Sequence, residues 1–122
     1  MSKTILAVDD ETELLNELTE ILHEQDYEVV TAKDGREGLQ KSTEVNPDLI
    51  ILDITMPQMD GLEMLKRLRQ DHRTADTPVI MLTASGRTEH IIKAMDCGAE
   101  DFMLKPFSLD DFLMTIRRKV RR

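Results

Sequence analysis

The stretch Leu49-Ile50-Ile51-Leu52-Asp53-Ile54-Thr55-Met56-Pro57-Gln58-Met59-Asp60-Gly61 decides how this chain folds. An apolar run closed by one carboxylate reads as a buried central strand covered on both faces. Pro57 and Gly61 mark a loop and a turn before the next helical pattern. In a parallel sheet, ligands and chemistry gather just outside the carboxyl ends of the strands, which makes Asp53 the first candidate for a working residue. Taken alone, such a carboxylate is more often a turn former, and the residues elsewhere in the chain decide between the two.

Working outward, the same pattern repeats. Upstream, Thr4 to Val8 is a short apolar run ending in Asp9-Asp10, and Leu14, Leu15, Leu18, Ile21 and Leu22 follow at helical spacing. Asp10 with Glu13 has capping-box spacing, as has Asp34 with Glu37. Tyr27 to Ala32 is a second strand, and a short helix runs to about Val45, where Asn46-Pro47 ends it. Downstream, Leu62, Leu65 and Leu68 mark a third helix. Asp71 to Thr77 reads as a polar loop, and Pro78 to Leu82 as a fourth strand. Ile91, Ile92 and Met95 give a fourth helix a narrow stripe that Gly98 terminates. Asp101 to Leu104 is a short fifth strand, closed by Lys105-Pro106. Ser108 with Asp111 opens a fifth helix striped by Leu109, Phe112, Leu113, Ile116 and Val120. Strand-helix alternation five times over calls for an α/β fold, a parallel sheet with helices on both faces.

The composition agrees with that reading and narrows it. The 122 residues are 40% hydrophobic and 33% charged, which suits one domain spanning 1–122 and leaves no room for a second. With three Phe, one Tyr and no Trp, the core must be Leu, Ile, Val and Met; Met64, Met81, Met103 and Met114 are assigned to it. Met56 and Met59, in the loop after Asp53, are read as partly exposed contacts for a partner helix. A formal net charge of −8 argues against direct nucleic-acid binding. The single cysteine, Cys97, allows no internal disulfide and is read as a packing residue. The N-terminal apolar run is too short for a signal peptide or a membrane span, so the expected location is cytoplasmic. Residues 117–122 are rich in Arg and Lys. They favour the dipole at the end of the fifth helix and would also suit the start of a linker to an output domain.

Asp9 and Asp10, Asp53, Thr83 and Lys105 all fall at strand ends that should open onto one edge of the sheet. Three converging carboxylates repel one another unless a cation is bound. Hard oxygen donors without His or Cys point to Mg²⁺, or Mn²⁺. A lysine to balance an incoming anion and a hydroxyl to bond it complete a set suited to phosphoryl chemistry. Each residue has a plainer reading: Asp9-Asp10 as a helix cap, Thr83 as a turn residue, Lys105 as a solvated strand end. Their coincidence at four of five strand ends favours the functional one.

With Val8-Asp9-Asp10, Leu52-Asp53 through Asp60-Gly61, Thr83-Ala84 and Lys105-Pro106-Phe107 in this order, the chain closely resembles the receiver domain of bacterial two-component response regulators, from about Lys3 to Lys119. The resemblance implies a flavodoxin-like, doubly wound, five-stranded parallel sheet of order 2-1-3-4-5 with five helices. It implies that Asp53 is the phosphoacceptor. It further implies that Asp10, Asp53 and the Thr55 carbonyl ligate Mg²⁺ directly, with Asp9 acting through a metal-bound water. Lys105 would pair with the phosphoryl group, and the Thr83 hydroxyl and the Ala84 N–H would bond its oxygens. The Lys105-Pro106 bond is expected to be cis. Phe102 stands where relatives carry a switching aromatic, with Ala84 leaving its path open. Thr55 and Ser85 flank the expected water path, and Gly86 should loosen the loop before the fourth helix.

The implied partners are a sensor histidine kinase or a histidine phosphotransfer protein, and a downstream target protein or a covalently linked output domain. Neither a membrane nor a nucleic acid is among them. The rival from another class is a phosphate-independent interaction domain that keeps the fold; the intact acidic set, Thr83 and Lys105 weigh against it. A flavodoxin-like electron carrier would want a phosphate-binding loop where Asp9-Asp10-Glu11 would repel FMN. A phosphatase would want an acid-base group and a substrate pocket, and neither is visible in the sequence.

Overall fold

The computed structural model describes residues 2–54, 56, 59–84 and 88–120, except for the side chain of Ala84. In chain order the elements are β1 (Thr4–Val8), α1 (Thr12–Glu24), β2 (Glu28–Ala32), α2 (Gly35–Val45), β3 (Leu49–Asp53), α3 (Gly61–Gln70), β4 (Val79–Ala84), α4 (Thr88–Asp96), β5 (Asp101–Lys105) and α5 (Leu109–Lys119). The strands form one parallel sheet in the order β2-β1-β3-β4-β5, with β3 at its centre and buried along its whole length. The parallel α/β sheet expected from the alternation, and the flavodoxin-like strand order implied by the resemblance, are the ones found.

The pleat sorts the core into two apolar clusters. Leu6, Val8, Ile50, Leu52, Val79 and Met81 face α2, α3 and α4. Ile5, Ala7, Leu49, Ile51, Ile80, Leu82 and Met103 face α1 and α5. Because side chains alternate along a strand, each row keeps its face to the strand's end. Asp9, Asp53 and Lys105 extend the rows on the α1/α5 side. Thr83 extends the row of Val79 and Met81, on the side of α4.

Side chains start three of the helices. Asp34 accepts from Glu37 N at 2.9 Å while the Glu37 carboxylate accepts from Lys33 N at 2.8 Å. Asp60 accepts from Glu63 N at 2.9 Å, and Ser108 from Asp111 N at 3.1 Å. Caps of this kind stabilise a helix by ~1 kcal/mol each. The expected Asp10–Glu13 box is not formed. The N-cap of α1 is Glu11, without a side-chain cap bond. The Asp10 carboxylate is drawn into the acidic cluster instead.

Other expectations need correcting too. Gly61 is not a turn residue but the first residue of α3, donating to Ile54 O at 2.8 Å. A Cβ there would overlap the Asp53 carbonyl oxygen, so only glycine lets α3 start this close to β3. Met114 is 53% exposed and lies outside the core. Met56 is buried, contrary to expectation, whereas Met59 is half-buried against the α2/α3/α4 cluster and keeps the partial exposure expected of it. Ile92, Met95 and Leu109 are exposed; in α4 only Ala94 is buried among the described residues. Ile92 and Met95 of the α4 stripe therefore face outward, on the same side as Phe102 and Leu104 of the edge strand β5, while Ile91 is half-buried.

The polar segment from Asp71 to Thr77 is more than a loop. Thr74 and Thr77 are buried, and Thr74 donates to Leu68 O at 2.6 Å. Arg69 holds the segment by donating to Thr74 O at 3.0 Å and Thr77 O at 2.8 Å, and reaches Gly98 O through Nη2 at 2.9 Å and Nε at 3.2 Å. Burial pulls the Arg69 pKa below its ordinary value, against the opposing pull of Glu100 and Asp76. Gly98 has φ +100°, a left-handed conformation that ends α4 as expected.

Candidate functional site

At the carboxyl edge of the sheet, β1 and β3 deliver the acidic residues side by side. Asp9 follows β1 and keeps its pairing to β2, donating its N–H to Ala32 O at 3.1 Å. Asp53 closes β3, paired in register with Leu82 of β4. One carboxylate oxygen from each of Asp9, Asp10 and Asp53 lies within 4.8 Å of the others. Asp9 is 1% exposed and Asp53 7%, whereas Asp10 faces solvent. Buried carboxylates this close demand compensation.

Part of it comes from Lys105, the last residue of β5. Its Nζ donates to Asp9 Oδ2 at 3.0 Å and stands 3.8 Å from Asp53 Oδ2. Burial disfavours the ammonium, but the Asp9 hydrogen bond and the charges of Asp53, Asp9 and Glu11 outweigh it, so the Lys105 pKa is held above its ordinary value. The second oxygen of Asp9 accepts from Glu11 N at 2.9 Å. The Lys105-Pro106 peptide is cis, as expected. Three carboxylates against one ammonium leave two net negative charges, the complement of one divalent cation. The donors are all hard oxygens, matching the preference of small hard cations over zinc or copper. The cluster can hold a divalent metal.

Thr83 is buried in β4, paired with Leu104, and Ala84 is paired with Lys105. The sheet thus brings Asp9, Asp10, Asp53, Thr83, Ala84 and Lys105 to one edge. Thr55, Ser85, Gly86 and the side chain of Ala84 lie outside the described residues, and with them the expected carbonyl ligand and the flanks of the water path. Phe102 is 36% exposed. Beside the cluster, Glu11, Leu14, Lys105, Pro106 and Phe107 line a mostly apolar hollow of about 450 Å³.

Two contributions escaped the sequence reading. The approach of Gly61 to the Asp53 carbonyl was hidden because a glycine before a helical pattern reads as a turn. The pleat parity that sets Thr83 apart from the acidic residues was available by counting alternate positions back from each strand end.

Comparison with known proteins agrees with this geometry. A family model described as the response regulator receiver domain matches residues 5–117. The chain is 40% identical over 118 residues to the DNA-binding dual master transcriptional regulator RpaA of a Synechocystis species, covering 97% of this chain and 49% of that protein. It is 39% identical over 122 residues to the alkaline phosphatase synthesis transcriptional regulatory protein PhoP of Bacillus subtilis, covering 100% of this chain and 50% of that one. Among solved structures, the chemotaxis protein CheY4 of Vibrio cholerae superposes with a TM-score of 0.92 at 35% identity, covering 98% of this chain and 100% of that one. The chain spans about half the length of the curated relatives it matches. None of its described helices is long and apolar enough to cross a membrane.

Proposed function

The chain belongs to the response-regulator receiver domains, and from that premise we propose that it is a phosphorylation-controlled signalling module with Asp53 as phosphoacceptor. One observation carries the reading. The Asp53 carboxylate ends the central strand with Asp9 and Asp10 oxygens within 4.8 Å and the Lys105 ammonium 3.8 Å away. Among the described residues, no other group of acidic side chains is gathered closely enough to hold a metal.

In this reading Asp10 and Asp53 would hold Mg²⁺ or Mn²⁺, with Asp9 assisting through water. The cation, when bound, supplies charge neutralisation at the phosphoryl oxygens. An Asp53 oxygen attacks phosphorus in line; the new bond is O–P, the bond broken is N–P of a phosphohistidine, and the leaving imidazole takes its proton from solvent. Lys105 leaves Asp9 for the phosphoryl group, and the Thr83 hydroxyl and Ala84 N–H donate to its oxygens. Water later attacks the aspartyl phosphate. The hollow beside Lys105 gives a donor side chain its approach. The donor would be a sensor histidine kinase or a histidine phosphotransfer protein. The reader would be a target protein, or an output domain joined through residues 117–122. Location in the cytoplasm belongs to the same proposal.

With Mg²⁺ and acetyl phosphate, intact-mass spectrometry should show uptake of one phosphoryl group. Peptide mapping of the reduced product should place it on Asp53. Asp53→Asn should fold and take up none. A label elsewhere, or full labelling of Asp53→Asn, overturns the assignment, and no labelling at all leaves the phosphate-independent interaction domain as the reading.

A further inference from the structure

The two ends of α4 are held very differently. Helices α1, α3 and α5 each bury three or more residues, whereas α4 buries Ala94 alone among its described residues. In its first turn Thr88 and Glu89 are exposed and His90 and Ile91 only half-buried, and the buried His90 Nδ1 has no hydrogen-bond partner among the described residues. The C-terminal end is tied down. Cys97 N donates to Lys93 O at 2.9 Å, Ala99 N to Ala94 O at 3.0 Å and Glu100 N to Val79 O at 2.8 Å, and the carbonyl of Gly98 between them receives both Nε and Nη2 of Arg69. The same guanidinium clamps Thr74 O and Thr77 O just before β4. One side chain of α3 therefore fastens the bases of β4, α4 and β5 together at the edge opposite the acidic cluster. The loose end of α4 begins four residues after Ala84, on the Thr83 side of the sheet.

We propose that Arg69 is a positioning residue of the response, making Gly98 the pivot about which α4 swings its Thr88 end when the acidic site is modified. The swing rests on the phosphoacceptor reading; the pivot itself does not. A planar fork reaching three carbonyls suits a fixed point, because such a charged, multidentate contact holds direction as well as distance. Lysine keeps the charge but cannot bridge all three.

Amide exchange followed by NMR on the intact chain, as wild type, Arg69→Lys and Arg69→Gln, tests the pivot without phosphorylation. In the wild type, protection should rise from Glu89 to Ala99. In Arg69→Gln, the amides of Cys97, Gly98, Ala99 and Glu100 should exchange about tenfold faster or more relative to Ile54 N, with Arg69→Lys in between. A loss shared equally with Ile54, or no loss, means a merely structural role or none, and overturns the proposal. If Arg69→Gln does not fold, Arg69→Lys carries the comparison. With Mg²⁺ and acetyl phosphate, shift changes in the wild type should be largest at Thr88 to Ile92 and fade toward Gly98, and in the variants should extend through Ala99. Changes as large at Gly98 as at Thr88 in the labelled wild type overturn the pivot. Failure of the wild type to take up phosphate sinks the phosphoacceptor reading instead, and the exchange gradient then decides on the pivot alone.

Discussion

Gly61→Ala asks the most of this architecture with the fewest atoms. The added methyl would overlap the Asp53 carbonyl oxygen and sit 2.8 Å from Ile54 Cα and 2.9 Å from Asp53 C. All three are backbone atoms of the central strand and its exit, so no rotamer change can relieve the clash. Overpacking costs about 1–3 kcal/mol, and a rigid backbone partner puts this case near the top of that range. Moving α3 away also breaks the Gly61 N to Ile54 O bond, 2.8 Å long, for about 1 kcal/mol more. The expected loss is ~3–4 kcal/mol, a large part of the roughly 6–18 kcal/mol available to a chain of this size. Urea unfolding followed by circular dichroism should show it. With a slope near 2 kcal/mol per molar, the midpoint should fall by about 1.5–2 M. Because the displaced atoms are those of Asp53, Mg²⁺ affinity should fall as well. A midpoint within ~0.3 M of wild type would mean that α3 has slack against β3, and the close-approach argument would be wrong.

Mg²⁺ titration followed by amide shifts should move the residues around Asp10 and Asp53, and Asp10→Asn should weaken binding more than Asp9→Asn; unmoved amides at millimolar Mg²⁺ would refute the cation assignment. Met64→Ala should cost about 2–5 kcal/mol in the same urea assay, whereas Met114→Lys should stay within ~0.5 kcal/mol, since Met114 is exposed. The side-chain hydrogen bond from Arg73, with its backbone N–H and its charge, lowers the Asp71 carboxyl from 3.8 to about 2. Its contribution to stability is therefore complete above the ordinary value and lost as pH falls through about 2. Carboxyl ¹³C titration should show that midpoint, returning toward the ordinary value in Arg73→Ala.

How much could be read from the chain depended on whether the physics was local. Leu49 to Asp53 announced the central strand because a run buried on both faces has no alternation to confuse it. Asp9, Asp53 and Lys105 could be brought together because parallel alternation forces their strand ends to a common edge. The stripe of α4 misled, because Ile91, Ile92 and Met95 have helical spacing whether they face a core or solvent, and spacing carries no sign. Met114 failed for a different reason: it was assigned to the core by composition, although helical spacing sets it off the face of Phe112, Leu113 and Ile116. Arg69 could not be found at all: its partners Thr74, Thr77 and Gly98 are backbone carbonyls, which every residue has, and Gly98 is reached across 29 positions of chain. Asp10 was placed correctly in the acidic set, and only its capping-box pairing with Glu13 failed, since that spacing recurs in sequence whether or not the cap forms.

The pleat that puts Asp9, Asp53 and Lys105 on one side and Thr83 on the other has a consequence for how this chain can change. Inserting or deleting one residue just before β4, so that the strand slips by one in its pairing, would turn Thr83 toward α1 and α5, away from α4, and carry Val79 and Met81 out of their cluster with it. A change of two residues would keep the side but shift the hydroxyl along the strand by about 6.6 Å. Neither kind of length change preserves both the direction and the depth of that hydroxyl. Substitution is then the route by which β4 can vary, while length variation is left to the segments between elements, where no such parity has to be kept.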